Sequence, residues 1–225
     1  MTVHMKREIE KLKKMLLSLC DVVQGRFQQA IESIKQSNAD LAKKVIDADI
    51  EIDHLEVELE EECLKILALY QPVAIDLRFI ITALKINNDL ERIGDLAVNL
   101  AERGEFLAKQ KSVDIPFDLE AMTEKTQSML RQSLDALVKM DCRLAYQVCT
   151  ADDEVDAMNR QMFDIVQDGI RANPEQMETL MHLLSVSRHL ERIADYATNI
   201  AEDVIYMVEG KIVRHKAEEY KPSGL

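Results

Sequence analysis

Apolar residues recur along nearly the whole chain at three- and four-residue intervals, and runs that alternate with period two are missing. That pattern predicts helices and no sheet. It is interrupted at Ser37-Asn38, Gln71-Pro72, Lys111 to Asp118, near Asp141 and at Asn173-Pro174, where turn formers and capping residues stand. The breaks divide the chain into six helices of about 25 to 35 residues each.

Helical projection assigns a core face to each of the better patterned segments. In the second helix the stripe is Leu41, Val45, Ala48, Ile52, Leu55, Leu59 and Ile66; in the third it is Ile86, Leu90, Ile93, Ala97, Leu100 and Leu107. The sixth carries Leu183, Val186, Leu190, Ile193, Ala197, Ile200, Val204 and Met207. A further apolar line on the second helix, Ile46, Ile50, Val57 and Leu64, lies to one side of the core stripe and implies a contact with another helix, a partner or a second subunit.

The chain is also written twice. Residues 89–102 read DLERIGDLAVNLAE and residues 189–202 read HLERIADYATNIAE, identical at nine of fourteen positions with an offset of one hundred. ADIEID at 48–53 pairs with ADDEVD at 151–156 at an offset of 103, so a three-residue deletion between the two matches reconciles them. The fold expected is all-α, two homologous three-helix bundles. Their expected limits are 1–110 and 118–210, with 111–117 as linker and 211–225 as tail.

Within the repeats, acids are spaced to share a face. Glu91, Asp95, Asn99 and Glu102 fall on one narrow strip, and Glu191, Asp195, Asn199 and Glu202 repeat it. Asp49, Asp53, Glu56 and Glu60 make a comparable strip on the second helix, whose counterpart on the fifth starts with Asp152 and Asp156. Like charges four residues apart oppose helix formation by a few tenths of a kcal/mol per pair, unless something positive sits there. In a three-helix bundle the strips of antiparallel neighbours can converge. Such oxygen clusters suit Mg, Mn, Ca, Fe or Zn, more than one ion per cluster, bound near the surface. The alternative is that these are solvated faces, since the Glu91 and Glu191 strips lie almost opposite the core stripes. Arg92 and Arg192 recur beside the acids, placed to form structural ion pairs with a neighbouring helix, direct phosphate contact being the alternative.

Composition narrows the partners. Six Gly, four Pro and no Trp in 225 residues agree with long helices, and a formal charge of −13 repels nucleic-acid backbones and anionic lipid headgroups. No segment is apolar enough for a signal peptide or a bilayer span, so a cytoplasmic location is expected. Cys20, Cys63, Cys142 and Cys149 lack a CxxC spacing and fall inside helical patterns, as small buried hydrophobes do. No nucleophile and base pair is evident. The acidic strips also lack the enclosed pocket that would raise a carboxylate pKa, so no enzymatic activity is expected.

The segment YQPVAIDLRFIITALKINNDLERIGDLAVNLAER, residues 70–103, resembles the signature region of the PhoU family, and HLERIADYATNIAEDVIYMVEG, residues 189–210, resembles its second copy. The resemblance runs from the first helix to Gly210. It implies two three-helix bundles side by side, a homodimer, and metal clusters held by repeated acidic motifs: here Asp49 with Asp53, Glu91 with Asp95, Asp152 with Asp156, and Glu191 with Asp195. It also implies a negative regulator of phosphate uptake that links a phosphate ABC transporter, through its ATPase, to a sensor histidine kinase, reaching the membrane only through those partners. His189 stands where the first copy has Asp89, so the two clusters are expected to differ.

Three other functions compete, one of them a pure helical scaffold without metal. A ferritin-like di-metal protein needs inward-facing acids and two ExxH motifs, but only Glu51-Ile52-Asp53-His54 has that spacing. A histidine phosphotransfer module would use His189 within Arg188-His189-Leu190-Glu191-Arg192, yet the duplicate lacks the histidine and no Gly-rich nucleotide segment is present.

Overall fold

Turn chemistry at the breaks sets the helix ends. The computed structural model describes residues 3–110 and 117–213. The helices are α1 (Val3–Lys35), α2 (Ala39–Asp47), α3 (Ile50–Tyr70), α4 (Ala74–Leu107), α5 (Leu119–Lys139), α6 (Cys142–Ala172) and α7 (Met177–Glu209), with a short 3-10 turn over Pro174–Gln176. Asn38 caps α2 by accepting from the Leu41 N–H at 3.0 Å, Asp118 caps α5 through Ala121 at 2.8 Å, and Asp141 caps α6 through Leu144 at 3.1 Å. Each fills an N–H that the first turn leaves without a helical partner. Asp141→Ala is expected to cost about 1 kcal/mol of stability, read as a lowered midpoint in thermal unfolding. No strand occurs among the described residues.

The six-helix plan holds with one departure: the second rod bends at Ala48 and Asp49 into α2 and α3. Ala48 N–H bonds Val45 O at 3.3 Å and Asp49 N–H bonds Ile46 O at 3.4 Å, a tightened turn of the 3-10 kind. Asp49 stands at the N-cap of α3 but its side chain makes no capping bond. That carboxylate is left available.

Helices α1 to α4 pack as one bundle and α5 to α7 as the other, with α4 against α7 and α1 against α5 joining them. One continuous apolar core runs through both halves, and a smaller cluster of Met162, Val166, Leu180 and Leu184 closes the far end of α6 and α7. Ile86, Leu90, Ile93, Ala97 and Leu100 of α4 are buried, as are Val186, Leu190, Ile193, Ala197, Ile200, Val204 and Met207 of α7. Leu107 and Leu183 at the ends of those stripes are only half-buried. Of the second-helix stripe, Val45, Ile52, Leu59 and Ile66 are buried, whereas Leu41, Ala48 and Leu55 are half-buried.

The off-axis apolar line meets no other helix of this chain over most of its length. Ile50, Val57 and Leu64 are 64%, 50% and 53% exposed, so only Ile46 is partly covered. Cys20, Cys63 and Cys149 are buried and Cys142 half-buried, all free. Burial pushes the first three thiols up to about 12, which keeps them protonated and inert. No helix among the described residues is long and apolar enough to cross a membrane. Most of the expected linker, residues 111–116, and most of the tail, residues 214–225, lie outside the described residues.

Candidate functional site

Packing of α6 on α7 brings two acidic strips face to face. A carboxylate oxygen from each of Asp156, Glu191 and Asp195 lies within 4.8 Å of the others. Oxygens ligating one cation at about 2.0–2.6 Å sit no more than roughly 5 Å apart, so the three fit within one coordination sphere. Asp152, one turn before Asp156, stands beside these three without joining their convergence; its Oδ1 is buried, and Thr198 is the side chain that partly offsets its raised pKa. Opposing charge comes from Arg160, on α6 itself, which reaches Asp156 at 3.5 Å, and from Arg188 and Arg192 of α7, which partly offset the rise of Glu191, Arg192 doing the same for Asp195.

Crowding shows in the titration of the group. Burial, then the charges of Asp195 and Asp156, pushes Asp152 up to about 6. Burial, then Glu191 and Asp156, does the same to Asp195. Glu191 is raised as well, by burial and then by Asp156 and Asp152. The expectation that the strips lack surroundings able to raise a carboxylate pKa is therefore wrong, by more in the second copy than in the first. Helical spacing shows which acids share a face but not how far the neighbouring helix covers them.

The first copy is built from α3 and α4 on the same plan but is looser. Asp49 is raised by burial, then by Asp53 and Asp95; Glu91 is raised by burial, then by Asp95, with Asp53 and Glu56 adding to it. Glu56 is raised by burial, then by Glu60 and Asp53. Carboxylates from the two helices thus feel one another here too. The Asn99 amide donates to the Asp95 carbonyl at 2.9 Å, leaving its oxygen as the atom able to ligate a cation. Asn199 is half-buried one turn beyond Asp195. Glu102 and Glu202 leave the clusters: Glu102 pairs with Arg103 at 3.0 Å, and Glu202 is buried.

The arginines depart from their expected roles. Arg92 forms ion pairs with Glu91 and Asp95, both at 3.3 Å and both on its own helix rather than on α3. Three residues or fewer separate them along α4, so the guanidinium folds back over the strip. Arg192 forms no ion pair among the described residues. It borders instead a cavity between α4 and α7, together with Arg103, Arg188 and His189. His189 is accordingly half-buried beside arginines, with Ser185 Oγ 3.1 Å from its Nε2, and is not presented as an exposed phosphoacceptor. On α3, Glu51 pairs with Arg26 at 2.5 Å, His54 is exposed and Ile52 is the residue that enters the core, so no inward di-metal site forms there.

Comparison with known proteins agrees with this architecture. The family described as PhoU domain matches the chain twice, over residues 16–104 and 119–204. The phosphate-specific transport system accessory protein PhoU homolog 1 of Thermotoga maritima is 38% identical over 210 residues, covering 93% of this chain and 90% of the relative. The corresponding PhoU homolog of Aquifex aeolicus is 39% identical over 210 residues, covering 93% and 95%. The crystal structure of PhoU from Pseudomonas aeruginosa superposes with a TM-score of 0.87 at 32% identity, covering 92% of this chain and 99% of that one. That of the phosphate transport system regulatory protein PhoU from Streptococcus pneumoniae gives 0.82 at 26% identity, covering 93% and 99%. With the domain repeated in both halves and the whole bundle pair shared, this chain belongs to the PhoU family.

Proposed function

We propose that this protein is a cytoplasmic, non-enzymatic regulator of phosphate uptake and of the phosphate-starvation response, acting by metal-dependent docking. Its partners would be the ATPase of a phosphate ABC transporter and the associated sensor histidine kinase, with a homodimer as the working form. The relatives' names as accessory proteins of the phosphate-specific transport system support the setting. The observation that carries the mechanism is the meeting of Asp156, Glu191 and Asp195 oxygens within 4.8 Å on two helices.

An all-oxygen donor set with no thiolate nearby suits Mn, Mg, Fe or Zn. Asp152, Asp156, Glu191, Asp195 and Asn199 would hold ions in the second copy, and Asp49, Asp53, Glu91, Asp95 and Asn99 in the first. A bound cation would supply positive charge that cancels the repulsion between the strips. With the charge cancelled, α6 and α7, and α3 and α4, would present a fixed surface to a partner. The exposed line of Ile50, Val57 and Leu64 gives the homodimer an apolar face.

Pull-down of the phosphate transporter from solubilised membranes, with and without a chelator, tests the docking. Capture that chelator abolishes and Mn²⁺ restores is expected; capture indifferent to the chelator would reduce the protein to a metal-independent adaptor.

A further inference from the structure

The cavity between the C-terminal half of α4 and the first turns of α7 contains none of the acids of the second patch, although Arg188 and Arg192 in its wall offset part of the charge of Glu191. Its volume is about 380 Å³, and its wall includes Arg103, His182, Ser185, Arg188, His189 and Arg192. That size falls within the range of small-molecule sites. In a chain of net charge −13, three guanidiniums on one cavity run against the general balance. Arg188 and Arg192 are four residues apart on α7, where like charges oppose one another. Only Arg103 has a carboxylate partner, Glu102 at 3.0 Å; Arg188 and Arg192 form no ion pair among the described residues.

Ser185 Oγ and His189 Nε2 pair at 3.1 Å, but other polar atoms of the wall are short of partners. His182 Nδ1, His189 Nδ1 and Arg103 Nε are buried without hydrogen-bond partners. His182 is held flat against Phe106 with ring centroids 3.7 Å apart, a stack that fixes α7 on α4 at this point. The positive charge of the wall is that of its three guanidiniums.

We propose that this cavity binds a phosphoryl-type oxyanion, with Arg188 and Arg192 of α7 as its main ligands and Arg103 of α4 closing the site from the other bundle. A guanidinium fork matches two oxygens of such a group, and a carboxylate would occupy only one fork. A multiply charged phosphoryl group uses all three. The cavity has room for inorganic phosphate or for the phosphates of a larger small molecule, which share the recognition chemistry. Arg103 and the α7 arginines come from different repeats, so an occupied site ties the two bundles together. This assignment does not depend on metal at the acidic patches.

Isothermal titration of the full-length, metal-free protein at low salt with inorganic phosphate, pyrophosphate and a nucleoside triphosphate tests it. Saturable binding of at least one probe is expected, weakened on the order of 10-fold by Arg188→Gln and again by Arg192→Gln. Saturable binding of inorganic phosphate would assign the free anion; binding of the triphosphate alone would assign an esterified phosphoryl group. Both α7 side chains are exposed, so these variants keep the fold. Absence of saturable binding for all three probes, or affinities that neither variant changes, would overturn the proposal.

Discussion

Asp195→Ala is expected to weaken divalent-cation binding at the second acidic patch by on the order of 100-fold, at the upper end of the loss from a residue that only supports a ligand. Asp195 is one of the three side chains whose oxygens already lie within 4.8 Å of one another, so its removal leaves two converging donors. Asp95→Ala in the first patch should have a smaller effect. There Arg92 already lies 3.3 Å from both Glu91 and Asp95 and offsets part of the charge that a cation would meet. Titration with Mn²⁺ at neutral pH reads both variants. Equal losses in the two patches would contradict the asymmetry, and no loss at Asp195 would remove it from the site.

Stability of the metal-free protein should fall as pH rises from 4 to 7, insofar as it reflects this patch. Asp152 and Asp195 have their ordinary 3.8 raised to about 6 in the fold. Between those values the folded state holds more protons than the unfolded one, so protonation favours folding. The contribution is complete below about 3.8 and is lost as pH passes through about 6. Asp152→Asn mimics the protonated form permanently. It should raise the thermal midpoint of metal-free protein at pH 7 and leave it nearly unchanged at pH 4. Adding Mn²⁺ to the natural protein at pH 7 should raise the midpoint in the same direction, because a ligand that binds only the folded state stabilises it. A midpoint for Asp152→Asn at or below that of the natural protein at pH 7 would show that the acids are not under strain.

Most of the architecture is legible along the chain because its punctuation is local. Asn38, Asp118 and Asp141 are strong N-caps, and each caps in the structure. Gln71 and Met140 adopt left-handed conformations next to the expected breaks at Gln71-Pro72 and Asp141. The bend at Ala48 and Asp49 has no such marker: neither Gly nor Pro stands there, and the apolar period runs on across it. The acidic motifs are legible too, since like charges four apart stand out on one helix.

What periodicity does not carry is the facing helix. Burial of Asp152 and the contrast between Arg92 and Arg192 depend on what α6 and α4 bring to each strip. The arginine cavity depends on Arg103, which lies 85 positions before Arg188 in the chain. A local signal did exist, because the rule that singles out the acids also picks out Arg188 and Arg192. Their convergence with Arg103 follows only from packing α4 on α7.

Diffraction from crystals soaked in Mn²⁺, recorded to locate anomalous scatterers, bears most directly on the metal mechanism. The expected map has a peak between α6 and α7, touching Asp156, Glu191 and Asp195 with Asp152 turned towards it, and a weaker one between α3 and α4. Side chains fanned outward into solvent, with no scatterer against either patch, would contradict it.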